Sequence, residues 1–220
     1  MRTRINIISI LLIAGLSANC AAILVGNAED EFATDPGALC QKEKSANSQT
    51  NGSINSTCVK ATSAADWVYF SLSSNSAVSV ASPTTSAAWD LGFKRFRIKL
   101  NGGVSGPGAG SLKLISGAAG FSGTTQATAG GYSSDANFTM AHTGACYTTD
   151  GVNYQFLNDF TATSCWFTYD SSTHKLDARD QFYYITDAAG NYYKLQTTSY
   201  YNDNGTSAYI SFKWAAVAAP

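Results

Sequence analysis

Trp89-Asp90-Leu91-Gly92-Phe93-Lys94-Arg95-Phe96-Arg97-Ile98-Lys99-Leu100-Asn101-Gly102-Gly103, running on into Val104-Ser105-Gly106-Pro107-Gly108, is the stretch that decides the fold class. Trp89, Leu91 and Phe93 alternate with polar or small residues, and so do Phe96, Ile98 and Leu100, one position out of phase. Strict alternation marks half-buried strand, and the slip of one predicts a β-bulge near Lys94-Arg95. The glycines that follow predict a loop whose backbone enters positive φ.

Outward from this stretch the pattern stays β. Trp67 to Leu72 and Ala77 to Ala81 read as paired strands across a Ser-Ser-Asn-Ser turn, and Ser111 to Ser116, Ala136 to Ala141 and Cys165 to Tyr169 as further strands. Phe182 to Thr186, Asn191 to Ser199 and Ser207 to Trp214 are joined by Asp187-Ala-Ala-Gly190 and Asn202-Asp-Asn-Gly205, turn sequences that predict a C-terminal antiparallel meander. In its last strand Ala208, Ile210, Phe212 and Trp214 share the face expected to be buried. The adjacent pairs Tyr183-Tyr184, Tyr192-Tyr193 and Tyr200-Tyr201 should each send one ring inward and one outward. The only helical feature expected is a turn within Ser172 to Asp180. The fold class is all-β, antiparallel, with little helix.

Composition narrows the function. The 220 residues carry a net charge of −1 and only 13% charged side chains, which argues against a nucleic-acid partner. Arg2 and Arg4, then an apolar run from Ile7 to Leu16, then Ser17 and Ala18, read as an export signal too short to span a bilayer. Two cleavages compete: after Cys20 or Ala22 by an ordinary signal peptidase, or before Cys20 by a lipoprotein peptidase that leaves the sulfur acylated. The domain plan is a lipoprotein signal over 1–19, a lipid anchor and flexible polar tether over 20–64, and a β domain over 65–220. Gln41 to Thr57 is too polar to order itself by burial.

Cysteine parity fits the lipid reading. Five cysteines are odd for an exported chain; assigning Cys20 to lipid leaves four. Local pairs Cys40–Cys58 and Cys146–Cys165 are the simplest arrangement, although four cysteines allow three connectivities. No Cys-x-x-Cys spacing supports a metal site. Nor is there a Gly-x-Ser-x-Gly elbow, a His-Glu-x-x-His pair or a Lys-Ser/Thr after the glycines, so no enzyme signature is present. Asp203-Asn204-Gly205 reads as a hairpin turn rather than a Ca²⁺ ligand set. The two histidines are His142 and His174; His142 follows Met140 by two residues on an expected strand, so their side chains would share a face.

Trp67-Val-Tyr-Phe-Ser-Leu, the Trp89 stretch through Gly108, Tyr183-Tyr-Ile-Thr-Asp-Ala-Ala-Gly-Asn-Tyr-Tyr-Lys-Leu-Gln and the final strand to Trp214 together resemble the HmuY family of bacterial haem-binding outer-membrane lipoproteins. The resemblance covers about Ala65 to Trp214. It implies an all-β domain, lipid anchoring at the outer membrane with the domain at the cell surface, and capture of haem or haemoprotein-borne haem for iron acquisition by axial side-chain ligation. His142 and His174 are the axial candidates it implies, with Met140 as substitute, and no metal beyond haem iron. The alternative is a surface lipoprotein of the same fold without haem, an adhesin or structural component that contacts host or envelope molecules.

Overall fold

A computed structural model describes residues 40, 45–137, 152–157 and 165–220. Strands β1 (Ala46–Asn51) and β2 (Ile54–Lys60) are followed by β3 (Val68–Ser71), β4 (Ser76–Val78), β5 (Leu91–Lys94), β6 (Arg97–Leu100) and β7 (Ser111–Ser116). The short β8 (Ala136–Asn137) and β9 (Val152–Asn153) pair with each other, as do β10 (Phe167–Asp170) and β11 (Lys175–Ala178). The chain ends on β12 (Gln181–Thr186), β13 (Tyr192–Tyr201) and β14 (Ser207–Ala216). A six-stranded sheet, β1-β2-β14-β13-β12-β7, faces a four-stranded one, β4-β3-β5-β6. Strand pairing within both is antiparallel, so the all-β expectation holds.

The core lies between the sheets. Phe93 stacks on Phe212 at 5.4 Å, and Phe70 meets Phe212 and Trp214 edge-on at 5.8 and 6.3 Å. Ala208, Ile210, Phe212 and Trp214 are all buried, as their alternation requires. Trp214 Nε1 donates to Thr57 Oγ1, which gives the one polar atom of that ring a partner across two strands.

The Trp89 stretch is two strands, not one bulged strand. β5 and β6 form a hairpin with a two-residue turn at Arg95-Phe96, pairing Leu91 with Leu100 and Phe93 with Ile98. A two-residue turn makes residues of opposite parity face each other, so chain reversal produces the same one-position slip as a bulge. Arg95 takes φ 54 at the turn, and its N–H donates to Ala61 O.

The glycines after Leu100 close around Asn101, which is fully buried. Its Nδ2 donates to Ser86 O and Trp89 O, while its Oδ1 accepts from Gly108 N. A Cβ on Gly106 would come within 2.0 Å of Asn101 Oδ1, and one on Gly102 within 2.0 Å of Gly110 O. Close backbone approach, not phosphate binding, is what these glycines permit.

The tether assignment needs correction. Residues 46–60 are β1 and β2, joined through Gly52 at φ 61, and β2 pairs with β14 from Tyr209–Lys60 to Trp214–Asn55. Val59 and Ala61 are fully buried. The segment orders despite its polarity because its backbone hydrogen bonds are made to a sheet already present, and because Cys40 and Cys58 form a disulfide. The boundary at 64/65 therefore cuts through the domain.

The tyrosine alternation fails at Tyr183-Tyr184, where both rings are buried. β12 is covered on both faces: Tyr183 faces the main core, while Tyr184 joins Phe121, Phe182 and Ala127 in a second cluster formed by the 117–130 segment. Lys194, also on this outer face, is buried with Nζ on Phe121 O and Thr124 O at 2.6 and 2.8 Å; burial lowers its pKa. Ser172 to Asp180 holds β11 after a turn, and no helical turn.

Candidate functional site

Four pieces of backbone converge at one end of the sandwich. They are the Arg95-Phe96 turn, the β10–β11 hairpin, the end of β13 at Tyr200-Tyr201, and the Gly205 to Ser207 turn into β14. They enclose a groove of about 610 Å³, within the size range of small-molecule and cofactor sites. Its apolar lining is Phe96, Phe167, Leu176 and the rings of Tyr169, Tyr200 and Tyr201, with Arg95 and Lys175 also in the wall.

Packing fixes the floor. Phe96 meets Phe167 edge-on at 5.7 Å, and Trp166 Nε1 donates to Phe96 O at 2.8 Å, locking the Arg95-Phe96 turn to β10. Tyr200 packs against Trp166 and Tyr201, and burial raises its phenol pKa, with Arg95 pulling the other way. Tyr201 Oη accepts from Leu176 N, tying β11 to β13.

The hairpin turn is built by Asp170. Its carboxylate accepts from Ser172 N, Ser172 Oγ and Thr173 Oγ1, and the Thr173 and Ser172 hydrogen bonds hold its pKa down to about 2. The next residue, His174, takes φ 56. That conformation brings its ring back toward β10, where Nδ1 and Tyr169 Oη share a 2.5 Å hydrogen bond. Tyr169 is 44% exposed, high for so large a ring. His174 is exposed as well.

Of the residues singled out from the sequence, His174 thus lies in the groove wall. Met140, His142, Cys146 and Cys20 lie outside the described residues. Cys165, buried beside Trp166, is disulfide-bonded. Sequence reasoning missed Tyr169, Phe96 and Arg95. The signal for Tyr169 is Tyr-Asp-Ser-Ser-Thr-His itself, since an Asp heading a Ser/Thr run marks a turn that folds its flanking residues together. Nothing in the local pattern brings Phe96 to the same place, because 70 residues separate it from Trp166. Among the described residues, no group of three His, Cys, Asp or Glu could hold a bare metal ion.

The donor set and shape fit haem. A flat macrocycle with apolar faces suits the aromatic walls, its carboxylates suit Arg95 and Lys175, and imidazole or phenol is an established haem-iron donor type.

Fold and groove define a class: an antiparallel two-sheet β domain whose turns present an aromatic groove. A family model described as HmuY protein matches residues 63–214, and the chain belongs to that family. Crystal structures of the same fold include a Bacteroides vulgatus protein described as HmuY-like and heme-binding (18% identity, TM-score 0.53, 76% of this chain and 94% of that one). An apo HmuY analog from Tannerella forsythia shares 16% identity at TM-score 0.54, covering 79% and 97%. A Bacteroides fragilis protein described as a lipoprotein shares 16% identity at TM-score 0.52, covering 76% and 92%. No curated protein matches the chain. β1 lies wholly before the family-matched segment, and so does β2.

Proposed function

We propose that this protein binds haem in the Tyr169–His174 groove and captures it for iron acquisition from the bacterial outer membrane. The observation that carries the reading is an aromatic groove with a hydrogen-bonded Tyr169–His174 pair and two cations in its wall. Family membership and the Bacteroides vulgatus neighbour described as heme-binding support it. Bound haem supplies the iron whose coordination completes the site. The chain's part is binding: rings stack on the macrocycle, Arg95 and Lys175 take its carboxylates, and the hairpin holds the donor pair in place. His142, with Met140 as substitute, is proposed as a further iron donor. No acid–base or nucleophile constellation is needed for such a role.

Anchoring through an acylated Cys20 is part of the same proposal, supported by the export signal whose apolar run and small residues lead into Cys20 and by the Bacteroides fragilis neighbour described as a lipoprotein. Among the described residues no helix is long and apolar enough to cross a membrane. Cys165 is proposed to pair with Cys146.

Haemin titrated into the exported domain, followed at the Soret band, tests the haem reading. A shifted, saturable band supports it. A spectrum unchanged from free haemin would sink it and leave the adhesin or envelope-component reading. Fatty-acid labelling that persists in Cys20→Ser would refute the anchor.

A further inference from the structure

We infer that the groove's iron-facing donor is the Tyr169 phenolate and that His174 serves it as base and positioning residue, rather than being the ligand itself. The inference rests on the haem reading and deepens it.

Two proton arrangements are compatible with the 2.5 Å contact between Tyr169 Oη and His174 Nδ1. In one, Nδ1–H donates to the phenol oxygen and Nε2 carries the lone pair. In the other, the phenol O–H donates to Nδ1, and Nε2 carries the proton and cannot ligate. A phenol is a good donor and a weak acceptor, whereas an unprotonated imidazole nitrogen is a strong acceptor, so the second arrangement is favoured. It turns His174 into a hydrogen-bond acceptor for Tyr169 and leaves the phenol oxygen as the donor atom.

Geometry on either side agrees. Tyr169 stands on β10 opposite Leu176, so strand pairing fixes its backbone, and its ring is the exposed one. His174 sits in the turn, held from behind by the Asp170 cap and set by its positive φ to face Tyr169. A base placed by a rigid turn against a strand-borne hydroxyl is the arrangement that activates an oxygen donor. The step balances simply. With haem bound, the Tyr169 O–H bond would break, its proton would pass to His174 Nδ1 to give imidazolium, and the phenolate oxygen would hold the ferric iron. No oxidant or reductant is consumed.

The test is haemin titration of wild type, Tyr169→Phe and His174→Ala, with thermal unfolding of each as a folding control. Wild type should show a high-spin ferric spectrum with a phenolate-to-iron charge-transfer band. Tyr169→Phe should lose that band and about tenfold or more in affinity. His174→Ala should keep the band while binding more weakly, and His174→Gln, which retains an acceptor, should recover part of the loss. The inference is overturned if Tyr169→Phe binds like wild type, or if wild type gives a low-spin imidazole spectrum that only His174→Ala abolishes. Either result leaves haem binding standing. Absence of any wild-type binding overturns the haem reading and this inference together.

Discussion

Asn101 shows how much one buried side chain can hold. Its amide spans Ser86 and Trp89 on one side and Gly108 on the other, closing the loop that follows β6 onto the segment that precedes β5. Asn101→Ala leaves two carbonyls and an N–H buried without their partner and should cost about 2–4 kcal/mol, read as a lower urea midpoint at unchanged m-value. Asp135 makes a second such clamp: Oδ2 accepts from Leu100 N and Oδ1 from Gln155 N. Burial raises its pKa from 3.8 to about 6, against the pull of those hydrogen bonds and of Lys99. The folded state therefore binds the proton more tightly than the unfolded chain. Stability should be greatest below about pH 4 for this group and should decline, by about 3 kcal/mol in all, as pH rises through 6. Asp90, also raised by burial, acts in the same sense. Asp170, held near 2, acts oppositely but only below pH 4. Urea midpoints across pH 4–7 for wild type and Asp135→Asn check this, because the variant should lack most of the decline.

At the scale of elements, the β10–β11 hairpin joins fold to site. Its four-residue turn is organised by Asp170, which faces solvent, so its loss should be local. Asp170→Ala is expected to leave global unfolding nearly unchanged while weakening haemin binding several-fold, since Tyr169 and His174 lose their fixed spacing. Equal loss of stability and binding would show that the turn serves the fold rather than the groove. The β5–β6 hairpin carries the lesson about legibility. Alternation picked out Trp89, Leu91, Phe93, Ile98 and Leu100, all of them buried, but not Asp90, Lys99 or Asn101, which are buried too, and it counted Phe96, which is only half-buried. It could not separate a bulge from a reversal: both shift parity by one, and Arg95-Phe96 lacks the Gly or Asn that normally announces a tight turn. The C-terminal meander was legible because its turns carry Gly190 and Gly205 and because β14 alternates buried apolar residues with more exposed ones.

Across the whole molecule, the N-terminal hairpin sets the domain's true extent. Residues 46–60 cover the edge of β14 that the meander would otherwise leave open, and an exposed strand edge invites pairing with other chains. A chain beginning at Ala65 should aggregate or unfold non-cooperatively, whereas one beginning just before Cys40 should unfold as a single unit, measured by light scattering and by thermal melts. The Cys40–Cys58 disulfide, spanning 18 residues, should add about 3 kcal/mol on the loop-entropy model, seen as a lower midpoint in Cys58→Ala.

By itself the sequence determined the strands of the C-terminal meander, the buried face of its last strand, the family and the glycine loop, because each is written in short-range periodicity or in residue types that only one backbone conformation accepts. Tertiary structure alone decided three things: that a polar segment becomes part of the sheet, that both faces of β12 are buried, and that Phe96, Tyr169, His174 and Tyr201 share a groove. All three depend on contacts between residues far apart in the chain, where stability comes from pairing and covering surfaces that no local pattern records.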